Sequence, residues 1–132
     1  MSDVFISYSR RDIAFARLIR EALQQSQIDT WIDWDRIPVG ERWWQEITEA
    51  IEGANVFLLI ISRNSLGSKV CRDEIELAFK NHKRIVPILV DQLTPEEIAG
   101  LAPDLPQFNW VVFERDHIFR LEVDPAAASE KP

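Results

Sequence analysis

One cysteine, Cys71, stands in a chain of 132 residues. Neither an internal disulfide nor a cluster of thiolate metal ligands is therefore available. Histidine is nearly as scarce: His82 and His117 lie far from Cys71 without the spacing of a ligand set, and no metal is expected. Positive charge is in deficit. Lys and Arg number 15 against 22 Asp and Glu, for a formal net charge of −7. A general nucleic-acid or anionic-membrane binder needs a basic footprint, so neither is an expected partner. Two local basic spots remain, Arg10 with Arg11, and Lys80, His82, Lys83 and Arg84. Long hydrophobic runs are missing too; the longest, Val56 to Ile61, is far too short to span a bilayer. The opening "MSDVFISY" enters a strand without the basic region, apolar run and cleavage site of a secretory signal, so the expected compartment is the cytoplasm. Cys71 is expected to be a small buried hydrophobe, since no base beside it marks it as a nucleophile.

What is present describes a folded domain. Hydrophobic residues make up 46% of the chain and five are Trp, enough for one domain with a true core. Strand patterns at Asp3–Ser9, Asp29–Asp35, 54–62, 84–90 and 108–114 alternate with helical ones. The first helix, 10–25, places Phe15, Leu18, Ile19, Ala22 and Leu23 on one face. The second, 42–53, does so with Trp43, Ile47, Ala50 and Ile51, and Gly53 ends it. Arg36–Glu41 and 63–69 read as loops, Cys71–Lys80 as a third helix, and 94–101 as a short helix with Thr94 as N-cap and Pro95 at its first position. This alternation predicts an α/β, flavodoxin-like, three-layer fold with a five-stranded parallel sheet of order 2-1-3-4-5. The expected division is a domain over 1–116 and a linker-like tail over 117–132, with the remainder of a longer parent chain beyond it.

Glu74 is the residue out of place. It shares the apolar stripe of Cys71, Ile75, Ala78 and Phe79, whereas Asp73 points elsewhere. An inward carboxylate is costly to desolvate and is seldom found without a partner or a task. The alternative is a helix-start acid favoured by the macrodipole. Ligands of open α/β sheets bind beyond the strand carboxyl ends where strand order reverses, here between the first and third strands. The loops at that point are Ser9–Asp12 and Ser62–Lys69, and the helix bearing Glu74 follows the second. Arg10 and Arg11 offer a seat for phosphate or, alternatively, a solvated helix start. Trp43 and Trp44 offer one ring to the core and one for stacking, or both to the core. A phospho-acceptor receiver is excluded because the sites of its acids read "SYS" and "IIS", and "SRRD" is not a flavin phosphate loop.

Four blocks together resemble the TIR (Toll/interleukin-1 receptor) family, in its bacterial form at the front of multidomain proteins. They are "DVFISYSRRD", "WIDWDRIPVGERWWQEITEAI", "VFLLIISRNSLGSKVCRDEIELA" and, more weakly, "FNWVVF", spanning about residues 2–114. The resemblance implies one of two functions. The first is NAD glycohydrolysis at the nicotinamide–ribose bond, with NAD as substrate and no cofactor, triggered by self-association with other TIR domains in bacterial defence or stress signalling. The second is a non-enzymatic TIR–TIR interaction module. By resemblance Glu74 is the catalytic residue, and Tyr8, Ser9, Arg10 and Trp43 line the substrate pocket. Ile37, Pro38, Val39 and Gly40 form the BB loop used in assembly. The chain departs from many active members at Val70, where they carry Trp four residues before the catalytic Glu. That exchange removes stacking area near the nicotinamide end.

Overall fold

A computed structural model of the chain describes residues 3–32, 41–103, 105 and 111–112, with backbone alone at 41, 42, 111 and 112. In chain order the elements are β1 (Val4–Ser7), a 3-10 turn (Arg10–Asp12), α1 (Ile13–Gln25), β2 (Thr30–Trp31), α2 (Glu41–Gly53) and β3 (Val56–Ile61). They continue with α3 (Arg63–Leu66), α4 (Lys69–Lys80), β4 (Arg84–Leu89), α5 (Pro95–Leu101) and β5 (Val111–Val112). All strand pairs are parallel and the order is β2-β1-β3-β4-β5, the architecture expected from the alternation.

The strands are apolar on both faces because both faces are covered. Phe5, Phe57, Leu59, Ile61, Ile85 and Leu89 share a core with Ile47 and Ile51 of α2 and Cys71, Ile75 and Ala78 of α4. The alternate residues Val4, Ile6, Leu58, Ile60 and Ile88 pack with Phe15 and Ala16 of α1. The period of two along each strand thus divides the interior into two layers. Register aligns Trp31, Phe5, Phe57 and Ile85 in one row across four strands. Phe5 stacks on Trp31 at 5.0 Å and on Phe57 at 5.5 Å, which locks β2, β1 and β3 in that register.

Helix ends are closed locally. After α4, His82 takes φ 54°, its N–H reaching Phe79 O and that of Lys83 reaching Ala78 O. Gln27 does the same after α1 at φ 62°. Both are Schellman endings without the usual glycine. Lys83 Nζ donates to the carbonyls of Glu52 at 2.7 Å and Ala54 at 2.8 Å, satisfying oxygens at the end of α2. In α5, Thr94 and Glu97 form a capping box with Pro95 in the first turn, as expected. The Thr94 N–H, with Arg63 nearby, holds the Glu97 carboxyl below its ordinary range.

Three expectations need correction. Leu18 and Ala22 do not face the core: Leu18 is 47% exposed, and the inward stripe of α1 is Phe15, Ala16, Ile19 and Leu23. The i, i+4, i+8 line through Phe15, Ile19 and Leu23 leaves Leu18 on its shoulder. Residues 63–69 are not simply loop, because Arg63–Leu66 forms α3. The first helix begins as a 3-10 turn and turns α-helical only at Ile13. Of the second predicted strand, Thr30–Trp31 is strand and residues 33–35 lie outside the described residues.

Candidate functional site

Five buried polar or charged side chains occur among the described residues: Ser7, Asp12, Ser62, Ser65 and Glu74. They come from the carboxyl end of β1, the turn after it, the end of β3, α3 and α4. All belong to the point where strand order reverses. The other buried residues described are hydrophobic, so desolvated charge is concentrated at this edge.

Glu74 reaches it because α4 starts where it does. Ser68 is the N-cap, its hydroxyl accepting from the Cys71 N–H at 3.2 Å. The first turn of α4 contains no acid, so Glu74 is not a helix-start acid. It lies in the second turn with Cys71, Ile75 and Ala78 on its stripe and is 3% exposed. Ser7 Oγ donates to its Oε1 at 2.7 Å, joining α4 to the end of β1. Asp73 points outward and pairs with Lys69 at 2.8 Å.

Asp12 completes the cluster from the other side. Ser62 Oγ donates to Oδ2 at 2.5 Å and Asn64 Nδ2 to Oδ1 at 2.9 Å. Ser62 also caps α3, its Oγ accepting from Ser65 N at 3.0 Å while Ser65 Oγ accepts from Ser62 N at 2.8 Å. Ser7 and Asp12 were not among the expected site residues. Their signals were faint: a lone hydroxyl closing a buried strand, and an Asp where a helix cap is ordinary.

Cys71 reports the electrostatics of this edge. Burial, then the Glu74 carboxylate and, more weakly, that of Asp12, push its thiol from an ordinary 9.0 up to about 11, against the hydroxyls of Ser68 and Ser7. A thiol so placed is protonated and inert at neutral pH. The folded protein holds this proton more tightly than the unfolded chain. Its contribution to stability, about 3 kcal/mol, is therefore complete below pH 9.0 and lost as pH rises toward about 11. Native protein at pH 8 is expected to resist iodoacetamide and to alkylate promptly in denaturant. Alkylation of the native protein at the rate of a free thiol would contradict this burial.

The remaining expected residues are distributed differently. Tyr8 is buried in the α1-side core, on the opposite face of β1 from Ser7. Ser9 caps the 3-10 turn, accepting from Arg11 N, and Arg10 is exposed at its start. Trp43 and Trp44 are both half-buried against the α2–α4 core, 6.2 Å apart and tilted by 50°. The Trp43 indole N–H is buried without a hydrogen-bond partner among the described residues. Ile37, Pro38, Val39 and Gly40 lie outside the described residues. A separate hollow of about 380 Å³ on the outer side of α4 is lined by Trp44, Asp73, Glu76, Leu77 and Lys80 and does not include Glu74. No helix among the described residues is long and apolar enough to cross a membrane.

Known proteins share this fold. The TIR domain of the Toll-related receptor TRR-2 from Hydra magnipapillata is similar over 96% of both chains at 16% identity, with a TM-score of 0.74. The metazoan TIR-STING receptor from C. gigas, in complex with 2',3'-cGAMP, matches all of this chain at 26% identity and a TM-score of 0.73, although this chain spans 40% of that one. A CMP N-glycosidase of Clostridium botulinum, BcmB, is similar in fold over 94% of this chain and 98% of its own, at 15% identity and a TM-score of 0.65. No curated protein matches the sequence. The sequence model of the TIR domain matches residues 4–123. With its sheet order and the edge built around Glu74, the chain belongs to the TIR-domain family.

Proposed function

We propose that this TIR domain is an NAD glycohydrolase, from a bacterial multidomain protein of the cytoplasm, switched on by association with other TIR domains. One observation carries the reading: the Glu74 carboxylate, 3% exposed and held by Ser7, at the sheet's switch point. In NAD the nicotinamide nitrogen is already cationic. When the C1′–N bond breaks, both electrons go to that nitrogen and neutral nicotinamide leaves without needing a proton. Positive charge then develops on the ribose as an oxocarbenium ion. A fixed carboxylate in a dry crevice stabilises that charge where water no longer can. One carboxylate therefore suffices where ordinary glycosidases use two. Water adds to C1′, giving ADP-ribose and one proton. The CMP N-glycosidase shows that this fold also carries N-glycosidic bond cleavage in another protein, a fold-level analogy only.

The slight exposure of Glu74 also bears on regulation. A lone subunit offers little access to the carboxylate, which supports activation through self-association. Nicotinamide release from NAD, resolved by chromatography, is expected to rise more steeply than linearly with protein concentration. A second reading, a TIR–TIR interaction module without chemistry, is favoured by the half-buried Val70 where many active family members carry Trp. It predicts intact NAD at every concentration.

A further inference from the structure

Asp12 is costly for a residue that could have been a simple cap. It stands at the N-cap of α1, yet its side chain makes no cap hydrogen bond. It is 1% exposed, and its oxygens accept from Ser62 and Asn64, which lie 50 and 52 residues away in sequence. Burying a carboxylate for stability alone gains little, since its hydrogen bonds mainly offset the lost hydration. A cap turned toward solvent would have stabilised α1 more cheaply. What the buried geometry does achieve is a clamp. The turn carrying Ser9 and Arg10 is tied to the turn between β3 and α4. The Asp12 N–H is itself held by Ser9 O at 2.7 Å, so Ser9 has little room to shift. The Ser62–Ser65 capping box makes the other side of the clamp equally stiff.

We propose that Asp12 is a positioning residue for dinucleotide binding: its clamp on Ser62 and Asn64 fixes the rim carrying Ser9 and Arg10 relative to the floor carrying Glu74. The inference rests on the glycohydrolase reading and adds a division of labour to it. Glu74 meets the reacting ribose, while Asp12 meets no substrate and sets the spacing of groups that do. Loosening such a rim weakens ground-state and transition-state binding alike, so the loss falls on KM.

Steady-state NAD cleavage is compared for wild type, Asp12→Ala, Asp12→Asn and Asn64→Ala at one high protein concentration, with thermal unfolding of each. Asp12→Ala is expected to raise KM about tenfold and leave kcat within about threefold. Asp12→Asn is expected to stay within about threefold of wild type in both. Its new amide keeps an oxygen for Ser62, and the Asn64 amide can flip to accept from it. If Asp12→Ala does not fold, Asn64→Ala carries the test, with KM raised about fivefold by the loss of one donor from a half-buried side chain. A wild-type KM in every alanine variant that folds, with kcat falling only as the folded fraction falls, would reduce Asp12 to a stability element. Equal rises in KM for Asp12→Ala and Asp12→Asn would assign the effect to charge and overturn the clamp. If wild type itself leaves NAD intact, the glycohydrolase reading fails and this inference fails with it.

Discussion

Glu74→Gln is expected to lower nicotinamide release from NAD by about a thousandfold or more while leaving the domain folded. The exchange keeps the shape of the side chain and an oxygen for the Ser7 hydroxyl at the position of Oε1. The negative charge goes, and the second oxygen becomes an amide NH2 that donates instead of accepting. A carboxylate buried to 3% exposure is held at a cost in desolvation, so its removal is expected to leave the melting temperature unchanged or slightly raised. That opposition between stability and activity separates a catalytic group from an architectural one. Loss of an architectural charge lowers stability, and activity falls only in proportion to the folded fraction. The variant carries an internal control in Cys71. With the Glu74 charge gone, the largest opposing charge on the thiol disappears, and the thiol is expected to titrate below its native value of about 11.

Ser7→Ala is expected to lower kcat about thirtyfold with KM changed by less than about threefold. The hydroxyl donates to Glu74 at 2.7 Å from the last residue of β1, which the sheet holds between β2 and β3. Its deletion takes one donor from a buried carboxylate oxygen and weakens the hold on that side chain. Both effects act on the carboxylate proposed to face the developing charge, so the loss is expected in the chemical step. The contrast with Asp12→Ala, whose loss is expected in KM, can be read from the same kinetic measurement. A Ser7→Ala enzyme with wild-type kcat would mean that Glu74 keeps its orientation without β1.

The fold was legible because the pattern that sets it is local. Apolar runs such as Val56–Ile61 admit a strand covered on both faces, and their alternation with amphipathic helices leaves few arrangements. The placement of Glu74 was legible for a related reason: a single acid on the stripe of Cys71, Ile75 and Ala78 violates the local rule, and such violations concentrate at functional sites. Its partner was not legible. Ser7 lies 67 residues away, and no local period links a strand-end serine to a helix acid. The same holds for Asp12, whose local context suggests a cap and whose partners Ser62 and Asn64 follow the end of β3, 50 and 52 residues away. The short α3 was missed because a four-residue helix has too few apolar positions to show a period. Its Ser62–Ser65 box replaces the usual Glu or Gln at the third position with Ser. Leu18 was assigned to the core because leucine at helical spacing ordinarily points inward; α1 instead packs through the smaller Ala16.

Proteins of this fold range from a Toll-related receptor to a CMP N-glycosidase, so chemistry must be decided at the site. The decisive measurement is nicotinamide released from NAD by wild type and Glu74→Gln, matched for folded protein and followed across a concentration series. The proposed enzyme predicts one nicotinamide per NAD lost for wild type, a specific rate that climbs with concentration, and no release above buffer for the variant. Equal release by the two proteins, or none from wild type even at the highest concentration, would contradict the role assigned to Glu74.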